Sequence, residues 1–155
     1  MYFFYCNFVE KWRWVMLHIE IGMRAIGVQS VRGGKGRYYE SQRVREYKEA
    51  IGWEVRRQIP MNFKKYENGI VVRGIYRYKG KGNGYRIKRP DLDSNINKGI
   101  MDAMSGIVWV DDAQIVEFWV TKLDADKDSI ELYIWGIEEL NNIPLQNVFV
   151  FPAQL

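Results

Sequence analysis

Apolar residues recur at two different periods along this chain, and that alternation restricts its fold more than any other feature. From Val15 to Gly22 they fall at every second position, with Leu17, Ile19 and Ile21 set against His18 and Glu20, which predicts a strand. Ser41 suits the cap of a helix running to about Gln58, where Val44, Tyr47, Ile51 and Val55 share a face; Pro60 ends it. The run 69–79, rich in Val, Ile and Tyr, predicts a strand. A second helix is expected over 94–104, with Ile96, Ile100, Ala103 and Met104 as its stripe and Gly106 as its stop. Two more strands are expected at roughly 114–122 and 129–136, joined by an acidic hairpin turn from Leu123 to Asp128. The order β, α, β, α, β, β describes an α+β fold, a small mixed sheet carrying two main helices.

At 155 residues the chain has the length of one domain able to bury a real core. Cys6 is the single cysteine, which excludes an internal disulfide and a Cys-rich zinc site; His18 is the single histidine, which excludes a His-based metal site. A reducing, cytoplasmic setting is expected. Glu10, Lys11 and Arg13 interrupt the apolar start before it reaches the ~20 residues of a membrane span. No signal-peptide pattern precedes them, so no membrane association is expected. Residues 1–15 read as an N-terminal extension, 16–140 as the folded domain and 141–155 as an apolar, irregular tail.

The net charge of +4 conceals a lopsided distribution. Residues 1–90 hold 20 Lys and Arg against 7 Asp and Glu, whereas residues 91–155 hold 3 against 12. A basic surface for a polyanion beside an acidic locus makes sense when a divalent cation sits between carboxylates and phosphate. The basic half includes a Gly-rich loop with Arg32, Lys35 and Arg37, and a second with Lys81, Arg86, Lys88 and Arg89. These seven cations are the expected phosphate contacts, giving salt-sensitive binding without sequence reading.

The chemistry is concentrated in residues 89–120. Asp91 and Asp93 stand two apart, so an extended backbone directs both carboxylates to one side, just before a helix whose positive end favours anions. Asp111 and Asp112 occupy the turn before the next strand. Should that strand pass near Asp91, three or four carboxylates converge on a site suited to Mg²⁺. Lys98 and Asp102 are spaced for a helical ion pair, and Asp124, Asp126 and Asp128 read as a solvated turn.

This segment resembles the RusA family of Holliday-junction resolvases. The likeness lies in Asp91-Leu92-Asp93, then Lys98, Asp102-Ala103-Met104, Trp109, and Asp111-Asp112-Ala113-Gln114-Ile115-Val116. It extends more weakly upstream through the first strand, the basic loop, Tyr39, Ser41 and Tyr47-Lys48. The resemblance implies a homodimeric, Mg²⁺-dependent endonuclease, with Mn²⁺ as a substitute, that makes paired symmetric nicks in four-way DNA junctions during recombination and repair. It assigns Asp91, Asp93 and Asp112 as metal-holding catalytic acids, with Asp111 as a further candidate ligand, and Lys98 as the lysine assisting at the scissile phosphate. One departure stands out: the family lysine follows the second aspartate by four residues, a position held here by Asn97, with Lys98 one later.

Other nuclease types fit poorly. Pro90-Asp91 matches the opening of a PD-(D/E)xK site, but no (D/E)-x-K follows it, and one histidine is too few for an HNH enzyme. A non-catalytic DNA-binding accessory protein is the alternative from another class, and a protein-interaction module with a sticky aromatic N-terminus is a third.

Overall fold

The structure, a computed structural model, describes residues 16–28, 30–32, 38–82, 84–92 and 94–138. Asp93, Lys35, Arg37 and both terminal segments named above lie outside the described residues.

The first helix, α1 (Gln42–Gln58), begins where Ser41 holds an extended conformation and accepts a hydrogen bond from the Val44 amide. Val44, Tyr47, Ile51 and Val55, spaced three and four apart, form its buried face. Ile59 caps its end ahead of Pro60, and Arg56 and Arg57 sit in the last turn, where cations favour the helix dipole. The second helix, α2 (Ser94–Met104), buries Ile96, Ile100, Met101 and Met104. Gly106, at φ +78°, turns the chain out of that helix in a conformation side-chain-bearing residues rarely adopt.

Both helices cover one face of a five-stranded sheet built from β1 (Leu17–Ile21), β4 (Ile70–Lys79), β5 (Gly84–Tyr85), β6 (Ile115–Ala125) and β7 (Ser129–Gly136). The spatial order is β1-β7-β4-β6-β5. Central β4 runs antiparallel to β7, with Val72 opposite Ile134, and parallel to β6, with Val72 opposite Phe118. Alternation places Ile19, Ile21, Val72, Tyr76, Tyr78, Ile130, Leu132 and Ile134 in the core beneath the helices. On the opposite face, the Glu131 carboxylate accepts hydrogen bonds from Arg77, His18 and Tyr133. The fold is the expected α+β mixed sheet with two helices.

Two expectations need correction. The basic loop read after the first strand contains a small antiparallel pair, β2 (Ser30–Arg32) with β3 (Tyr38–Glu40). The stretch from Leu123 to Asp128 is not a hairpin turn. Strand β6 continues to Ala125, and β4 lies between β6 and β7. Asp126, Lys127 and Asp128 therefore cross the end of β4, a step of two strand spacings, or about 10 Å. Asp128 closes that crossing by accepting the Lys79 amide at 2.8 Å and the Arg24 guanidinium at 3.3 Å.

Candidate active site

The turn before β6 is built by its own sequence. Trp109 is fully buried and bridges Ser105 and Tyr66, which fixes the start of the turn. Asp111 caps a short 3-10 turn (Asp112–Gln114) through the Ala113 amide at 2.8 Å. The Gln114 carbonyl oxygen accepts from the Val110 and Asp111 amides, while its amide nitrogen donates to the Tyr66 and Asn68 carbonyls. Gln114 thus ties the turn to the chain leading into β4. Within this frame the Trp109 indole N–H donates to Oδ1 of Asp112 at 2.8 Å. That bond orients the carboxylate without neutralising it. Asp111 uses Oδ1 for its cap and keeps its second oxygen and its charge.

The approach to Asp91 is held from below. Residues 84–90 arch over the outer end of β6, starting where β5 pairs Gly84 with Asp124 and Tyr85 with Leu123. The Arg86 guanidinium bonds Asp124 and donates to the Arg89 carbonyl from both Nε and Nη2. It also lies 5.3 Å over the Tyr78 ring. Lys122 Nζ donates to the Lys88 carbonyl at 2.8 Å and the Pro90 carbonyl at 2.6 Å. A Cβ on Gly80 would stand 2.5 Å from Asp124 Oδ1, so a side chain there would displace the carboxylate that Arg86 holds. Two expectations change here. Arg86 has a side chain only 11% exposed and is committed to Asp124, so it is a structural cation and not a phosphate contact. Asp124 is its half-buried partner on β6 and not a solvated turn residue.

Strand β6 does pass the Asp91 segment, but through Lys122 and not through its N-terminal end. Asp91 follows the carbonyl that Lys122 holds, while Asp112 precedes Ile115, seven residues earlier on the same strand. That stretch of strand spans roughly 20 Å. Asp91 and Asp112 are thus anchored at different points along β6, one through Lys122 and the other just ahead of Ile115. Among the described residues no three His, Cys, Asp or Glu side chains gather as a metal cluster. The single-chain convergence expected from sequence is not found among them; Asp93 lies outside the described residues.

On α2, Lys98 is exposed and meets Asp102 at 3.2 Å, the helical pair expected. Asp102 also takes Lys48 of α1 at 2.7 Å, and Lys48 in turn reaches Glu40 at 2.5 Å. Burial alone would raise the Asp102 pKa, but hydrogen bonds from Lys48 and Lys98 outweigh it and hold the carboxyl below its usual range. Asn97, at the four-residue position, faces inward and accepts from the Tyr76 hydroxyl at 3.1 Å. Lys98 is therefore the residue of this pair with a side chain in solvent.

A family model described as endodeoxyribonuclease RusA matches residues 26–134. That range takes in both helices, the Asp91 segment and the whole Asp112 turn. The chain belongs to the RusA family. No curated individual protein matches it.

RusA membership makes the unpaired acids chemically intelligible. The family acts on branched DNA, and phosphodiester cleavage with carboxylates alone calls for a hard cation. Asp91 is exposed, and neither it nor Asp112 has a basic partner among the described residues, so both carboxylates keep their charge there. Lys81, Lys88 and Arg89 are exposed, as a DNA-facing role requires. Arg32 lies on β2, while Lys35 and Arg37 are outside the described residues. Sequence reasoning missed Arg24 and Arg43, which with Arg89 line a cleft of about 550 Å³ beside Pro90 and the start of α1. It also missed the supports: Lys122 under the arch, and Trp109 and Gln114 in the turn. Trp109 and Gln114 stood within the motif and Lys122 beyond it, but spacing alone does not say which polar groups point inward.

Proposed function

We propose that this RusA chain is a Mg²⁺-dependent endonuclease that resolves four-way DNA junctions as a homodimer, each site being shared between subunits. Asp91 and Asp93 of one subunit would hold the cation together with Asp112 of the other. The observation that supports this reading is that Asp91 and Asp112 are anchored at different points along one strand and form no acidic cluster among the described residues, each without a basic partner there. A two-fold axis offers a way to bring one end of each chain against the other end of its mate. It also matches the approximate symmetry of a four-way junction, so that two sites face opposing strands.

Bound Mg²⁺, for which Mn²⁺ would substitute, supplies Lewis-acid polarisation of the phosphate and lowers the pKa of an attacking water. The chain's own groups do the rest. Trp109 fixes Oδ1 of Asp112 and leaves its second oxygen available. Arg86 and Lys122 hold the carbonyls leading into Asp91. Lys98, drawn toward Asp102, provides a positive charge for the phosphate as negative charge develops on it. Hydrolysis in line and without a covalent intermediate leaves 5′-phosphate and 3′-hydroxyl ends. Symmetric nicks yield ligatable duplexes, which places the activity in recombination and repair.

The test is incubation with a synthetic four-way junction in Mg²⁺ or EDTA. Wild type should nick opposing strands only with Mg²⁺. Asp112→Asn, whose amide oxygen can still accept from Trp109, should stay folded and lose on the order of 100-fold or more in rate. Junction binding without any metal-dependent cutting would support the accessory reading instead.

A further inference from the structure

The arch before Asp91 presents an apolar pair to solvent in a setting that otherwise favours burial. Tyr85 is 77% exposed and Ile87 94% exposed, on either side of the inward-facing Arg86. Single exposed apolar residues are ordinary. These two differ because the backbone that carries them is held by hydrogen bonds on both sides. The Lys88, Arg89 and Pro90 carbonyls are all taken from below by Arg86 and Lys122. The side chains of Ile87, Lys88 and Arg89 are left in solvent. Lys88 and Arg89 directly follow Ile87 and Lys81 precedes Tyr85 by four residues, all exposed, and no ion-pair partner is found for them among the described residues.

We infer that Tyr85 and Ile87 form a wedge that stacks against nucleobases at the branch point of the DNA. The inference rests on the junction-nuclease reading and adds to it the surface that engages bases. A second copy of this chain is a poor occupant, because it would bring the same cations against one another. DNA supplies the opposite charge, and bases exposed at a branch present flat apolar faces. A tyrosine ring stacks on any base, and an aliphatic side chain inserted at a step unstacks it, in both cases without reading sequence. Lys88 and Arg89 would hold flanking phosphates while the wedge enters.

The experiment uses the full chain in EDTA, a junction carrying 2-aminopurine at its branch point, and a continuous duplex of matching sequence. Wild type should raise the 2-aminopurine fluorescence of the junction and bind the junction at least about tenfold more tightly than the duplex. Tyr85→Ala with Ile87→Ala should lose the fluorescence rise and most of that preference, while binding duplex as wild type does. Lys88→Ala with Arg89→Ala should weaken both substrates together and lower the salt dependence. An undiminished fluorescence rise with the Tyr85/Ile87 double variant overturns the wedge. So does dissociation of the free protein into monomers by that variant, which would make the pair a subunit contact. Failure of wild type to cut in Mg²⁺ is a separate result, which removes the nuclease reading and leaves the fluorescence outcome interpretable.

Discussion

Carboxylates in this chain divide by what they touch. Asp102, Asp124, Asp128 and Glu131 each meet at least one cation, and their work is structural. Asp112 meets an indole N–H, which aims it and leaves its charge intact. The structural group has a measurable signature. For Asp102, burial raises the pKa but the two lysines outweigh it, leaving the value below its ordinary 3.8. For Glu131, burial is likewise outweighed, by Tyr133, Arg77 and His18, leaving it below 4.5. A carboxyl with a depressed folded-state pKa stabilises the fold above its unfolded value and loses that contribution as pH falls through the folded one. Thermal stability should therefore drop below about pH 4. Asp102→Asn should cost about 1–2 kcal/mol at neutral pH and flatten part of the acid limb, as melting curves between pH 7 and pH 3 would show. Parallel curves for variant and wild type would remove Asp102 from this role.

The elements were legible where periodicity is strong. Both helices start and stop within a residue or so of expectation, because Ser41, Pro60 and Gly106 are local signals and the apolar stripes are unbroken. Strand order was not legible. A three-residue link between β6 and β7 reads the same in sequence whether it makes a hairpin or crosses the end of β4. The candidate site suffered likewise: spacing identified Asp91 and Asp112 but not which part of β6 each would adjoin, and Arg86 looked like any other loop cation. The α2 register carries a prediction of its own. Asn97 faces Tyr76 in the sheet, whereas Lys98 is solvent-facing beside Asp102. Lys98→Ala should slow cleavage by about 10–100-fold, a magnitude typical of losing a positioned charge, while lowering the melting temperature only slightly, since the exposed pair with Asp102 contributes about 0.5 kcal/mol or less. Asn97→Ala should do the reverse, costing about 1 kcal/mol of stability with little loss of rate. The opposite pattern would assign the family lysine's role to position 97.

For the whole molecule, the charge split between the two halves of the chain takes on a spatial meaning. Strand β6 belongs to the acidic half, and on it rests a basic arch from the other half, with Asp91 directly after the arch. Among the described residues no helix is long and apolar enough to cross a membrane. A shared active site follows from this layout only if two chains meet, and that is the claim with the most at stake. It is tested most directly by co-expressing Asp91→Asn and Asp112→Asn chains and assaying the mixture on a four-way junction in Mg²⁺. Each variant alone should be inactive. Random pairing makes about half of the dimers mixed, and each mixed dimer carries one intact site, so roughly a quarter of wild-type nicking should return. A mixture as inactive as its components would mean that Asp91 and Asp112 serve the same site from within one chain, and the shared-site account would be wrong.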